Sequence, residues 1–296
     1  MTAERSNEPW RQLYPFESRL FRHNDLDMHY VDEGDGPPIV MVHGNPTWSF
    51  YYRELIRAFR GTHRCIAMDH IGCGLSDRPG LDRYDHRLAS RIDDVEALLN
   101  HLGVQEDVTL IVHDWGGMIG FGAALRKPER IARIVVLNTA AFFLPAERPF
   151  MWQLRIARRD NLLTRFLVRR LNLFCHGAAI GGTTRGLDRN VRSGLLAPYR
   201  RVSDRLAVHE FVKDIPLAPG DRSYETVRAI DDDLTTLRDK PMMICWGRQD
   251  FVFDDAFLAE WRRRFPDAET HVFEDAGHYV MEDARDRIIE RVRNFI

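Results

Sequence analysis

An α/β fold is what this sequence predicts: a mostly parallel sheet covered by helices on both faces, with a helical piece inserted late in the chain. Two observations predict it. Short runs rich in Val and Ile alternate with segments whose apolar residues recur at helical spacing. The alternation breaks once, from about Phe142 to Ala218, where no strand-like run occurs. The 296 residues are 44% apolar and 29% charged, which is ordinary for a globular chain.

Taken in order, Met28–Asp32, Ile39–Val42, Cys65–Met68, Val108–Val112, Ile134–Asn138, Met242–Trp246 and Thr270–Phe273 are the predicted strands. Most are short and almost continuously apolar, as strands buried on both faces must be. Helices are predicted between them. Trp48–Phe59 carries apolar residues at 48, 51, 52, 55, 56 and 59, and Tyr84–Leu102 sets Leu88, Ile92, Val95, Leu98, Leu99 and Leu102 on one side. Ala256–Phe265 and Tyr279–Phe295 complete the set. The Arg-rich stretch 142–218 places Phe150, Trp152, Leu154, Phe166, Leu167, Leu171, Leu173 and Phe174 at helical spacings. A structureless connection of that length is uncommon, so it reads as a helical cap following the sixth strand of the sheet. The expected organisation is a core of residues 1–141 and 219–296 with a cap of 142–218. A cap there lies over the C-terminal edge of the sheet, where α/β ligands bind.

Composition excludes several classes. Forty-two basic residues against 44 acidic ones give a formal charge of −2, so the chain as a whole has no bulk attraction to nucleic acid or an anionic membrane. Apart from Lys127, Lys213 and Lys240 the basic residues are Arg. Cys65, Cys73, Cys175 and Cys245 form no CxxC pair and have no zinc-like His spacing. They read as reduced thiols of a cytoplasmic protein. The start MTAERSNEPWRQ lacks the apolar core of a signal peptide. No apolar run reaches the ~18 residues of a transmembrane span.

The chemistry is carried by four segments. In Leu110-Ile111-Val112-His113-Asp114-Trp115-Gly116-Gly117 a buried strand runs through a tight turn into a helix. This is the nucleophile-elbow pattern with Asp where esterases place Ser. Taken alone, Asp114 could be a helix N-cap. In Val40-Met41-Val42-His43-Gly44-Asn45-Pro46-Thr47-Trp48 the HG turn follows the strand expected beside the elbow, and it donates a backbone N–H to an oxyanion hole. Asn45 adds a side-chain amide there, or serves only as a turn residue. Asp250 lies four residues beyond an apolar strand in Trp246-Gly247-Arg248-Gln249-Asp250, and His278 follows the last strand in Asp275-Ala276-Gly277-His278. Singly, each reads as a surface turn. Together, Asp114, Asp250 and His278 give the order nucleophile, acid, base.

A carboxylate nucleophile needs no base to activate it and displaces leaving groups from saturated carbon. The product is an alkyl ester of Asp114, which water activated by His278 can hydrolyse. The acid beside the imidazole sets its tautomer and stabilises its charge. The Trp115 indole N–H is a donor without acceptor capacity. With Asn45 it can hold a departing anion, unless it is simply a packing residue at the helix start. No metal or redox cofactor is required.

On these residues the chain resembles the α/β-hydrolase superfamily over nearly its whole length, and within it the haloalkane dehalogenases. HGNPTWS, DHIGCGLSDRP and VHDWGG carry the resemblance. It implies that Trp115 and Asn45 hold the leaving group. Epoxide hydrolases share HDWGG, but typically have an aromatic residue at the place of Asn45 and use two cap tyrosines; here Tyr199 is one candidate. Fluoroacetate dehalogenases have Arg where Trp115 stands. One dehalogenase branch takes its acid from the end of the sixth strand. Here that strand ends Val136-Leu137-Asn138-Thr139 with no carboxylate, which implies Asp250 and the third branch, with an Asp–His–Asp triad. LNTAAF, FVKDIPL, WGRQDFVF and GHYVMED also resemble the β-lactone decarboxylases of bacterial long-chain olefin biosynthesis. The resemblance therefore implies a cis-3-alkyl-4-alkyloxetan-2-one decarboxylase first and a haloalkane dehalogenase as the alternative. Its partner is a small apolar substrate, with association to other olefin-pathway enzymes.

Overall fold

The computed structural model describes residues 8–146 and 148–296. Eight strands form one sheet in the order β1-β2-β4-β3-β5-β6-β7-β8. They are β1 (Arg19–His23), β2 (Leu26–Glu33), β3 (Pro38–Val42), β4 (Arg64–Met68), β5 (Val108–Asp114), β6 (Ile131–Thr139), β7 (Met242–Gly247) and β8 (Glu269–Phe273). β1 and β2 pair antiparallel, as do β2 and β4. From β4 through β3, β5, β6 and β7 to β8 every pairing is parallel. β1 is the strand the sequence did not reveal. Of its residues only Phe21 is buried, so the edge strand has no apolar run to announce it.

The parallel strands are apolar at successive positions because alternate residues face two different cores. Val40, Val42, Leu110, Val112, Ile134, Val136 and Ile244 pack with helices α2 (Leu88–His101), α3 (Trp115–Arg126), α9 (Tyr224–Asp233) and α10 (Asp255–Arg264). Ile39, Met41, Ile111, Val135, Leu137 and Met243 pack on the opposite face with α1 (Arg53–Phe59) and α12 (Arg285–Phe295).

Three predicted helices are shorter or broken. Before α1, Trp48 is fully extended and Ser49–Tyr52 form a 3-10 turn. The Trp48 indole is drawn inward, donating to the Gly194 carbonyl at 3.0 Å. α2 starts only at Leu88, after His86 at φ 55°. The Leu88 N–H is met by the Asp214 carboxylate at 2.8 Å. The C-terminal helix breaks at Ala284 into α11 (Val280–Asp283) and α12.

Between β6 and β7 the described residues contain helices and no strand. These are α4 (Trp152–Ala157), α5 (Leu162–Arg165), a π turn over Phe166–Arg170, α6 (Leu173–Gly181), α7 (Arg189–Leu196), α8 (Leu206–Lys213) and α9. The helical cap thus follows the sixth strand. Cap and core are joined by hydrogen bonds such as Asn45 Nδ2 to the Val208 carbonyl at 3.1 Å.

Candidate active site

The elbow is built by close approach. Asp114 ends β5 at φ 52°, ψ −127°, a strained backbone for a non-glycine residue, and α3 begins at the next residue. The turn is tolerable because its neighbours lack side chains. A Cβ at Gly116 would overlap the Val42 carbonyl, and one at Gly44 would overlap the Asp114 carboxyl group. The Thr139 hydroxyl ties down the Asp114 carbonyl from β6. The Asp114 side chain makes no capping bond to α3. Its Oδ1 instead accepts the Asn45 backbone N–H at 2.6 Å. That leaves Oδ2 as the oxygen turned toward His278, whose Nε2 lies 3.7 Å away.

His278 Nδ1 donates to Asp250 Oδ2 at 2.9 Å. Asp250 is itself held: Oδ1 accepts from the Val252 N–H at 2.7 Å, and Oδ2 also accepts from Asn138 Nδ2 at 3.0 Å. Asn138 Oδ1 accepts the Gly247 N–H at 2.7 Å, and its Nδ2 donates to the Gly247 carbonyl at 3.0 Å. The amide at the end of β6 thus clamps the turn that carries the acid. The sequence shows that Asn138 is not a carboxylate but does not reveal this role. The signal was an amide at a strand end; its partner is 112 residues away. His113, also missed, donates through Nε2 to the His278 carbonyl at 2.8 Å. Burial holds His113 neutral, far below the ordinary histidine range, and the neighbouring His278 charge adds to the effect. His43 is likewise pushed down by burial to about 4.

Burial raises the Asp114 pKa above the ordinary 3.8, against the opposing His278 charge and the Asn45 and Trp115 backbone N–H groups. For His278, burial works downward, but the Asp250 charge and hydrogen bond and the Asp114 charge outweigh it and raise the pKa. Attack by Asp114, as the sequence predicts, requires its deprotonated form. The burst of ring opening or halide release should therefore fall on acidification with a midpoint above pH 3.8, read by single-turnover kinetics. A midpoint at or below that value would show that burial does not govern the nucleophile.

A cavity of about 470 Å³ opens over the C-terminal edge of the sheet, lined by Asp114, His278, Asn45 and Trp115. The rest of its wall is largely apolar, with Phe142, Phe143, Phe150, Leu154, Phe174, Ile215 and Phe253 among the contributors. The structure brings together all five residues singled out by sequence: four line the cavity, and Asp250 joins them through His278. Asn45 has one amide N–H committed to Val208, and its Oδ1 is buried without a partner. The Trp115 ring packs on Phe211 of α8 with centroids 5.4 Å apart. Among the described residues no oxygen accepts from its indole N–H. Asn45→Ala and Trp115→Phe should each slow leaving-group departure by ~10²-fold or more. Near-native single-turnover rates in both would make the pair structural. Tyr199 is fully buried, its hydroxyl donating to the Thr47 carbonyl at 3.3 Å, and it is absent from the cavity wall. It is therefore not placed to activate an epoxide.

Residues 37–284 match the family described as alpha/beta hydrolase fold. The chain is 50% identical over 285 residues to a cis-3-alkyl-4-alkyloxetan-2-one decarboxylase of Shewanella oneidensis, covering 96% of this chain and 89% of that one. It is 34% identical over 260 residues to haloalkane dehalogenase 2 of Mycobacterium tuberculosis, covering 88% and 87%. The crystal structure of haloalkane dehalogenase DbeA from Bradyrhizobium elkani superposes with a TM-score of 0.85 at 22% identity, over 94% of this chain and 97% of that one. The chain belongs to the α/β-hydrolase fold family, among relatives that include the cis-3-alkyl-4-alkyloxetan-2-one decarboxylases and the haloalkane dehalogenases.

Proposed function

We propose that this enzyme decarboxylates cis-3-alkyl-4-alkyloxetan-2-ones to cis-alkenes and CO2. The observation that carries the reading is the 50% identity over 96% of the chain to a decarboxylase of that specificity. The largely apolar cavity around the Asp114 carboxylate fits it. In this mechanism Asp114 Oδ2 attacks the ring carbon that bears the ring oxygen. That C–O bond breaks, the carbon inverts, and the freed carboxylate is held by the Asn45 and Trp115 side-chain donors. Loss of CO2 breaks the adjacent C–C bond. Its electrons form the alkene and expel Asp114 with the anti geometry. Inversion followed by anti elimination returns a cis-alkene from a cis-lactone. The His278 charge, which Asp250 supports, favours the anionic form of the nucleophile.

The second reading is haloalkane hydrolysis, favoured by the His278–Asp250 pair. Nε2 is too far from Oδ2 for a hydrogen bond, yet near enough to take a proton from water attacking an Asp114 ester. Halide would then occupy the Asn45–Trp115 site. Side-by-side turnover of a cis-dialkyl β-lactone and 1-bromobutane decides between them. Olefin and CO2 from the lactone support the first reading; halide release without olefin replaces it by the second. In the proposed cell setting the protein is cytoplasmic, which agrees with four free, buried cysteines. It works beside the other enzymes of the olefin route on a core of residues 1–141 and 219–296 capped by 142–218.

A further inference from the structure

The near-neutral charge of the whole chain conceals one very uneven stretch. Residues 148–181 hold seven arginines and a single carboxylate, Asp160, in a chain of formal charge −2. Arg148, Arg158, Arg165 and Arg169 are each paired, with Asp254, Asp221, Asp160 and Glu210. Arg155, Arg159 and Arg170 are exposed, and among the described residues no carboxylate lies within ion-pair distance of them.

The same stretch of chain displays large apolar side chains at helical spacing. Trp152 and Ile156 stand one turn apart on α4, and Leu162, Leu163 and Phe166 lie on α5 and the π turn that continues it. Trp152 is 66% and Leu162 84% exposed. Surface apolar residues are normally scattered singly, and contiguous ones mark interaction sites. On α6, Leu173 is both exposed and part of the cavity wall, so the apolar surface reaches the mouth of the cavity.

We propose that this outer face of the cap docks on an anionic lipid bilayer. The apolar side chains enter the interface, and Arg155, Arg159 and Arg170 meet lipid phosphates. An anionic bilayer is the occupant that matches both halves of the surface: acyl chains for exposed Trp, Leu and Phe, and phosphates for guanidinium groups, which bind them bidentately. No helix among the described residues is long and apolar enough to cross a membrane, so the attachment is lateral. On the lactone reading, the bilayer is also where so apolar a substrate partitions, and the cavity opens beside it.

The test is sedimentation of the full chain with vesicles of phosphatidylcholine containing phosphatidylglycerol, beside vesicles of phosphatidylcholine alone. The protein is expected to bind the anionic vesicles and to be released by salt. With about 1 kcal/mol per basic residue at an anionic surface, the variant combining Arg155→Gln, Arg159→Gln and Arg170→Gln should bind on the order of 10²-fold more weakly. A second variant, Leu162→Ser with Phe166→Ser, keeps the charge and should also lose binding. Both should unfold at near-native temperature. Absence of binding to anionic vesicles, or equal binding by a folded Arg variant, overturns the proposal. So does a concentration-dependent dimer abolished by the Leu162→Ser, Phe166→Ser variant, which would make this face an interface between copies. Sedimentation needs no turnover, so an enzyme inactive on lactone would leave the docking result standing.

Discussion

Asp114→Ala is expected to abolish turnover of lactone and bromoalkane alike, by on the order of 10⁴-fold or more, while the protein stays folded. The free oxygen of Asp114 faces the cavity and His278, and no other carboxylate lines that cavity among the described residues. Removing it leaves the apolar cavity intact but takes away the proposed nucleophile. Stability should not suffer, because burial already disfavours the charged form of this side chain. Asp114→Gly is a sharper control. Residue 114 sits at φ 52°, where glycine relieves strain of about 1 kcal/mol or more. A more stable, inactive Gly variant separates the loss of chemistry from any loss of fold. Asp114→Asn is a poorer test, since deamidation would restore the acid. Comparable turnover by folded Ala and Gly variants would exclude Asp114 as the nucleophile.

The second large effect is expected at His278, and it divides the two halves of the cycle. Hydrolysis of an Asp114 ester needs water deprotonated at the cavity wall, and His278 Nε2 is the base placed there. With 1-bromobutane, His278→Ala should release one equivalent of halide per enzyme and then stall as a covalent ester, visible by mass spectrometry. With a β-lactone, CO2 loss itself expels Asp114 and consumes no water. The same variant should therefore retain part of its olefin production. Repeated halide turnover by the variant would remove His278 as the hydrolytic base. A variant that is inactive on lactone would favour attack at the lactone carbonyl, where the imidazole is still needed.

The elements most easily read from sequence were those whose partners are near in the chain or forced by burial. Parallel strands buried on two faces must be apolar at successive positions, so β3 to β7 were visible. β1 was not, because an exposed edge strand has no such requirement. Helix starts were misjudged where the stop came from elsewhere. Leu88 begins α2 because Asp214 and Ser223, far along the chain, receive its N–H. The Trp48 backbone is extended because its indole reaches Gly194 in the cap.

The candidate site divides along the same line. The sequence by itself determined the chemical inventory and its order: Asp at the elbow, an HG turn with Asn45, Asp250 and His278 after strands, and glycines at 44 and 116. The strained elbow dictates residue types within a few positions, whereas Gly44 and Gly116 answer close approach by Asp114 and Val42 from distant parts of the chain. Only the tertiary structure decided that Asp114 Oδ1 is held by the Asn45 backbone and that Oδ2 turns toward His278. It alone showed that Asn138 clamps Asp250, that an Asn45 N–H is committed to Val208, and that the cap turns an apolar, arginine-rich face outward. These contacts join residues up to 163 positions apart. Hydrogen-bond direction and exposure are set by how distant segments pack, and no local pattern encodes them.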